Sequence, residues 1–150
     1  MDEALALDAS VIAKWFKKGE EHERETPSLR DKILASQVQA VTSEWLLLEV
    51  VRALVKANYP KEKVEEAYST LKEITSLGFI EAIPVGKTLD EAKDIEITLS
   101  LFASDAVYLA TAIISHATLI TEDKHMLNKN VRSYAQREGI KIISLKEESQ

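Results

Sequence analysis

The sequence predicts an α/β fold, a parallel sheet of about five strands with helices on both faces. Short apolar runs near 4–7, 38–42, 79–85, 118–121 and 140–144 alternate with stretches of helical periodicity. The runs are continuously apolar rather than alternating, as strands covered on both faces are. The chain has 150 residues with four glycines and three prolines and shows no Gly/Ser-rich linker, so one domain over 1–150 is expected.

Each element has a local reason. Ala4-Leu5-Ala6-Leu7 forms the first strand and Asp8 stands at its exit. Ser10 is placed to cap a helix over 11–18, whose Val11, Ile12, Trp15 and Phe16 share one face; Gly19 ends it. The charged residues 20–25 read as a solvated loop, and Thr26-Pro27 as the cap and first turn of a helix reaching about Gln37. The second strand follows at 38–42. Ser43 then caps a helix over 44–58 that is apolar nearly all round, with Glu49 in its middle, and Tyr59-Pro60 breaks it.

Residues 61–77 form a helix with Val64, Ala67, Tyr68, Leu71 and Ile74 on one face and charges on the other; Gly78 stops it. After the third strand, Thr88-Leu89-Asp90-Glu91 reads as a capping box opening a helix to about Ser100. Ser104 is a candidate N-cap for the next helix, which puts Asp105 in its first turn and Val107, Leu109, Ala110, Ile113 and Ile114 on a broad apolar face. His116 and Ala117 turn the chain into a buried strand at 118–121, and Glu122 and Asp123 lie where it runs out. One or two short helices over 126–138, broken near Asn130, lead through Gly139 to the last strand at 140–144. Residues 145–150 read as a loose polar tail.

Bulk composition limits the function. A net charge of −6 argues against binding nucleic acid through bulk positive charge. The absence of cysteine excludes disulfides and thiolate metal sites and suits a reducing compartment. Met1-Asp2-Glu3 is acidic where a signal peptide is basic, and no apolar run approaches the roughly 20 residues of a membrane span, so a cytoplasmic protein without a membrane partner is expected. Glycine-rich phosphate loops and a G-x-S-x-G nucleophile motif are absent.

Four acids interrupt apolar patterns or close strands: Asp8, Glu49, Asp105 and Asp123. Each has an ordinary explanation alone. Asp8 caps a helix, and Glu49 pairs with Arg52 three residues on. Together they suggest a site. In an open α/β sheet ligands bind beyond the carboxyl ends of the strands, where such acids gather. Converging carboxylates must take up protons or hold a cation, and a hard ion such as Mg²⁺ or Mn²⁺ matches all-oxygen ligands. The scattered His22, His116 and His125 lack metal-ligand spacing and read as surface or packing residues. Acid-held divalent ions suit phosphodiester hydrolysis, which needs no protein nucleophile. Lys14, Lys17, Lys18, Arg52, Lys124 and Lys129 are candidates for phosphate contacts.

The segments Leu7-Asp8-Ala9-Ser10, Glu49 to Leu54, Ser104-Asp105 to Ala110, and Leu119 to Asp123 resemble, in order and spacing, the PIN-domain nucleases and most closely their VapC-like branch. The resemblance implies a three-layer α/β/α sandwich and a Mg²⁺/Mn²⁺-dependent endoribonuclease with Asp8, Glu49, Asp105 and Asp123 as its acidic site. Ser10 and Thr121 would be polar neighbours orienting ligands. Glu122 competes with Asp123 for the last position, and the threonine two places before favours Asp123. An RNA substrate, a small antitoxin partner and a homodimer follow from the same resemblance. The alternatives are a housekeeping RNA-processing nuclease, a non-catalytic RNA- or protein-binding module on the same fold, and a small-molecule phosphatase, which the lack of Asp-x-Asp at Asp8 disfavours.

Overall fold

The computed structural model describes residues 4–17 and 25–148. Its strands are β1 (Ala4–Leu7), β2 (Ala40–Ser43), β3 (Glu81–Ile83), β4 (Ala117–Ile120) and β5 (Ile142–Ile143), all parallel, in the sheet order β3-β2-β1-β4-β5. The helices are α1 (Ala9–Ile12), α2 (Glu25–Leu34), α3 (Leu46–Lys56), α4 (Lys61–Ser76), α5 (Leu89–Leu99), α6 (Ala103–Ile114), α7 (Lys129–Arg137) and α8 (Leu145–Glu148).

Successive strand residues point to opposite faces, and each face has its own core. Ala6, Val41, Leu119 and Ile142 pack beneath α5, α6 and α7, against Ile95, Leu109 and Ala135. Leu7, Ala40 and Ile120 pack on the other side against Ile12, Ile33, Val50, Leu54 and Leu71 of α1 to α4 and Leu145 of α8. Both strand faces are therefore covered, which is why the runs read as continuously apolar. The result is the α/β/α sandwich. Ala106, Ala110 and Ala112 of α6 are fully buried; their small side chains let the helix lie close to the sheet and to α5. Among the described residues, no single helix is long and apolar enough to cross a membrane.

The topology fixes where a site can form. From β1 the sheet grows through β2 and β3 in one direction and through β4 and β5 in the other. The order reverses at the β1–β4 pair, the crevice where open α/β sheets bind ligands. Leu7 of β1 is opposite Ile120 of β4, so the residues leaving both strands emerge side by side.

Several local expectations are corrected. Asp8, not Ser10, caps α1: its Oδ1 accepts from the Val11 amide at 3.3 Å, and the helix passes into a 3₁₀ turn at Ala13–Trp15. α2 ends at Leu34 instead of Gln37, with Ser36 in the left-handed region. α3 starts at Leu46, since Ser43 is the last residue of β2 and its hydroxyl accepts from the Trp45 amide in the intervening turn. Thr88 does not form a capping box; its hydroxyl donates to the Val85 carbonyl at 2.7 Å and closes a 3₁₀ turn running straight into α5. Ser104 is not the cap of α6. The helix opens two residues earlier, after extended Phe102, whose carbonyl accepts from the Ala106 amide. Ala117 belongs to β4, and the turn rests on His116 with φ of 52°. Before α7 the chain is not helical; Asn128 caps that helix through the Val131 amide. The tail read as loose from 145 instead forms α8 over Leu145–Glu148, anchored by fully buried Leu145. Of the loop read at 20–25, residues 20–24 lie outside the described residues, as do Lys18 and Gly19, and His22 with them, whereas Glu25 is already the first residue of α2.

Candidate active site

Asp8, Glu49, Asp105 and Asp123 line one cleft of about 300 Å³ at the β1–β4 crevice. Each arrives on a different element. Asp8 leaves β1, Glu49 is in the first turn of α3, Asp105 is in the first turn of α6, and Asp123 follows β4. Ala9, Ser10, Arg52, Ala53, Ser104 and Tyr108 complete the walls, with Phe102 and His125 at the mouth.

Asp8 is the most constrained of the acids. It is 4% exposed. Ser10 donates to Oδ1 at 2.6 Å and Thr121 donates to Oδ2. The same two hydroxyls accept backbone amides from the β4 exit: Ser10 from Glu122 at 2.9 Å, and Thr121 from Asp123 at 3.0 Å. Each hydroxyl therefore bridges the two strand ends, and together they fix the orientation of Asp8 relative to Asp123. On the other side, Thr42 donates to the Leu7 carbonyl at 2.7 Å and ties the β1 exit to β2.

The electrostatics match this crowding. Burial raises Asp8 from 3.8 to about 6, against the hydrogen bonds from Ser10, Thr121 and Val11; the charge of Asp123 adds to the rise. Burial also raises Asp105, to about 7, and Asp123, Asp8 and Glu49 all push it further. Three carboxylates thus act on Asp105 across the cleft, and Asp123 acts on Asp8 as well. The Tyr108 phenol is buried and, among the described residues, makes no hydrogen bond of good geometry; burial, then the nearby Glu49 carboxylate, raise it well above its ordinary value.

The sign of these shifts gives a measurable consequence. A carboxyl whose folded pKa lies above its unfolded value favours the native state when protonated. Its ionisation costs stability as pH rises from about 4 through 6 for Asp8 and through 7 for Asp105. For Asp8 alone the cost is on the order of 3 kcal/mol at full ionisation. Metal-free protein should therefore be more stable at pH 5 than at pH 7.5. Thermal unfolding in EDTA checks this; a Tm that falls steadily from pH 7.5 to pH 5 contradicts it.

The donor set fits a hard divalent ion. It is all oxygen, partly buried, and its excess negative charge is what a cation would offset. Among the described residues, no group of three or more His, Asp or Glu side chains is placed so that it could hold a metal ion as the structure stands. The fit to a divalent ion therefore rests on the chemistry of the donors and on their shared negative charge.

The other sequence candidates divide. Among the described residues no ion pair joins Glu49 to Arg52; Arg52 is exposed and lines the cleft. Lys14 and Lys124 do not line it. Glu122 turns its Oε2 to the Leu145 amide at 2.8 Å and holds the start of α8, whereas Asp123 faces the cleft. His125, read as a surface residue, lies at the cleft mouth and meets Phe102 edge to face, with ring centres 6.0 Å apart. Reasoning from the sequence missed Phe102 and His125. The available signal was their position three residues before Asp105 and two after Asp123.

A profile of the PIN domain matches residues 5–132. Comparison with curated proteins gives no match. Among solved structures, the chain is similar to VapBC2 from Rickettsia felis, solved bound to a DNA fragment from their promoter, with TM-score 0.61 and 18% identity over 94% of this chain and 98% of that one. It is also similar to VapBC-5 from Mycobacterium tuberculosis, a member of the VapBC family of toxin–antitoxin systems, with TM-score 0.56 and 18% identity over 95% and 99% of the two chains. FitAcB from Neisseria gonorrhoeae aligns with TM-score 0.59 and 16% identity over 95% and 98%. At these identities the likeness is one of fold.

Proposed function

The chain belongs to the PIN-domain family, and on that premise we propose that it is a Mg²⁺- or Mn²⁺-dependent endoribonuclease acting as the toxin of a toxin–antitoxin pair. One observation carries the reading: Asp8, Glu49 and Asp123, from three separate elements, all act on Asp105 across one cleft. A purely structural role for any one acid does not require the other three to be there.

In this reading Asp8, Glu49, Asp105 and Asp123 hold the ion. Ser10 and Thr121 occupy both oxygens of Asp8 and so aim its remaining lone pairs. Arg52, exposed at the rim and lining the cleft, contacts a substrate phosphate; Lys14 and Lys124 are left to more distant backbone contacts. The bound ion supplies positive charge that neutralises the carboxylates, makes an attacking water more acidic and steadies the leaving oxygen. The protein supplies orientation, and no side-chain nucleophile is needed.

The partner part of the proposal draws on fold neighbours solved as VapBC complexes. An antitoxin would cover the acidic cleft. The homodimer remains part of the proposal, and the exposed Leu89 and Ile97 of α5 are apolar side chains that such an interface would bury.

Purified protein with Mn²⁺ should cut RNA internally. Intact RNA after prolonged incubation with Mg²⁺ and with Mn²⁺ would refute the nuclease assignment. The choice between neighbouring acids is separately testable. Glu122→Ala should lower stability by about 1 kcal/mol, through the lost bond to the start of α8, and leave cleavage in place. Asp123→Ala should do the reverse. Thermal unfolding run beside the cleavage assay distinguishes the two, and loss of cleavage in Glu122→Ala would exchange their roles.

A further inference from the structure

Beside the acidic cleft lies a second hollow of about 270 Å³ lined by Ser100, Leu101, Phe102, Asp105 and His125. Phe102, Asp105 and His125 belong to both hollows. Phe102 is 70% exposed, an unusual setting for a phenylalanine beside a cluster of carboxylates. Its backbone is held by the start of α6, where its carbonyl accepts from the Ala106 amide at 3.0 Å. His125 is held too, because its amide donates to the Asp123 carboxylate at 2.9 Å. The two rings meet at 84°, so His125 takes at most one face of Phe102, and the exposure of the residue leaves ring surface accessible.

We propose that Phe102, backed by His125, is a stacking platform for one unpaired base of the substrate, beside the phosphate held at the carboxylates. The proposal rests on the nuclease reading above and assigns to that site a residue that contacts the base of the substrate. In a helix both faces of a base are covered by its neighbours, so only a splayed-out base can lie on an aromatic ring. The wall shared at Asp105 supports a nucleotide as occupant over a protein side chain. A base in the second hollow would lie across one shared wall from a phosphate held in the first through a cation at the carboxylates, as a base and its own backbone require. The polar Ser100 and Asp105 beside the ring suit base edges better than an apolar side chain.

The test compares steady-state cleavage of a short single-stranded oligoribonucleotide, in Mn²⁺, by wild type, Phe102→Ala and Phe102→Trp. A second substrate carries one abasic residue beside the cleaved bond. Loss of base–aromatic stacking should raise KM about tenfold in Phe102→Ala while kcat changes less than about threefold, and Phe102→Trp should restore the wild-type value. The abasic substrate should cost wild type a similar factor and cost Phe102→Ala nothing further. If wild type cuts the oligonucleotide and Phe102→Ala shows an unchanged KM, the platform is overturned while the nuclease reading stands, and the exposed ring is left to a protein partner. If wild type cuts no RNA, the reading itself fails and the platform with it.

Discussion

Asp105→Asn is expected to reduce RNA cleavage by at least about a hundredfold, more than is typical for loss of an outer-shell group around a metal. Asp8→Asn should do the same. Both variants should remain as stable as the parent in metal-free buffer, or become more so. The two expectations have one cause. Asp105 is pushed to about 7 by burial and by three neighbouring carboxylates, so its ionised form opposes folding while serving the site. An amide keeps the shape and removes the charge. For Asp8 the substitution is gentler than it looks, because the amide oxygen still accepts from Val11 or Ser10, and the Thr121 hydroxyl can turn to accept from the new NH₂. A variant that is inactive because it is unfolded would show the opposite sign in thermal melting. Activity and Tm measured on the same preparations therefore separate a functional loss from a structural one.

Metal removal is the second large effect. EDTA should bring cleavage down to background, and Mn²⁺ or Mg²⁺ should restore it in full, since in this reading the attacking group is a water made acidic by the ion. The dependence on pH follows from the same carboxylates. The ion binds their ionised forms, and protons compete for Asp8 near 6 and Asp105 near 7. The Mn²⁺ concentration giving half-maximal cleavage should therefore rise by about tenfold for each unit of pH lowered from 7 to 6. Cleavage that survives dialysis against EDTA, or a Mn²⁺ requirement that does not change with pH, would contradict this account of the site.

Much of this was legible in the order of residues. Asp8 is readable because β1 is a four-residue apolar run, and its first polar residue must lie at the carboxyl edge of the sheet. Asp105 is readable from the helix that follows it. Glu49 is readable as a lone charge in an apolar helix. The parts that were not legible depend on pairing between distant segments. The Thr121 hydroxyl reaches Asp8 across 113 residues only because Leu7 pairs with Ile120, and no local pattern encodes that register. Three helix starts were misplaced for a related reason: Ser10, Ser43 and Ser104 are all good capping residues, yet none caps the helix it was read to open. Thr88 does hold the N-cap position of α5, but its hydroxyl bonds the Val85 carbonyl instead of closing a capping box. Asp8 takes the cap at α1 because its backbone leaves β1 already extended, with φ of −104° and ψ of 176°. Thr121 already favoured Asp123 over Glu122 in the sequence, but the role of Glu122 at the start of α8 was not legible, since a polar stretch of four residues held by one buried leucine gives little periodicity to read.

Four acids scattered along the chain are held here to make a single divalent-cation site, and calorimetric titration of Mn²⁺ into the metal-free protein at pH 7.5 tests that most directly. Saturable binding that is lost in both Asp8→Asn and Asp105→Asn is the expected result. No binding to the parent, or equal binding to the parent and both variants, would mean that the carboxylates share a cleft without sharing an ion.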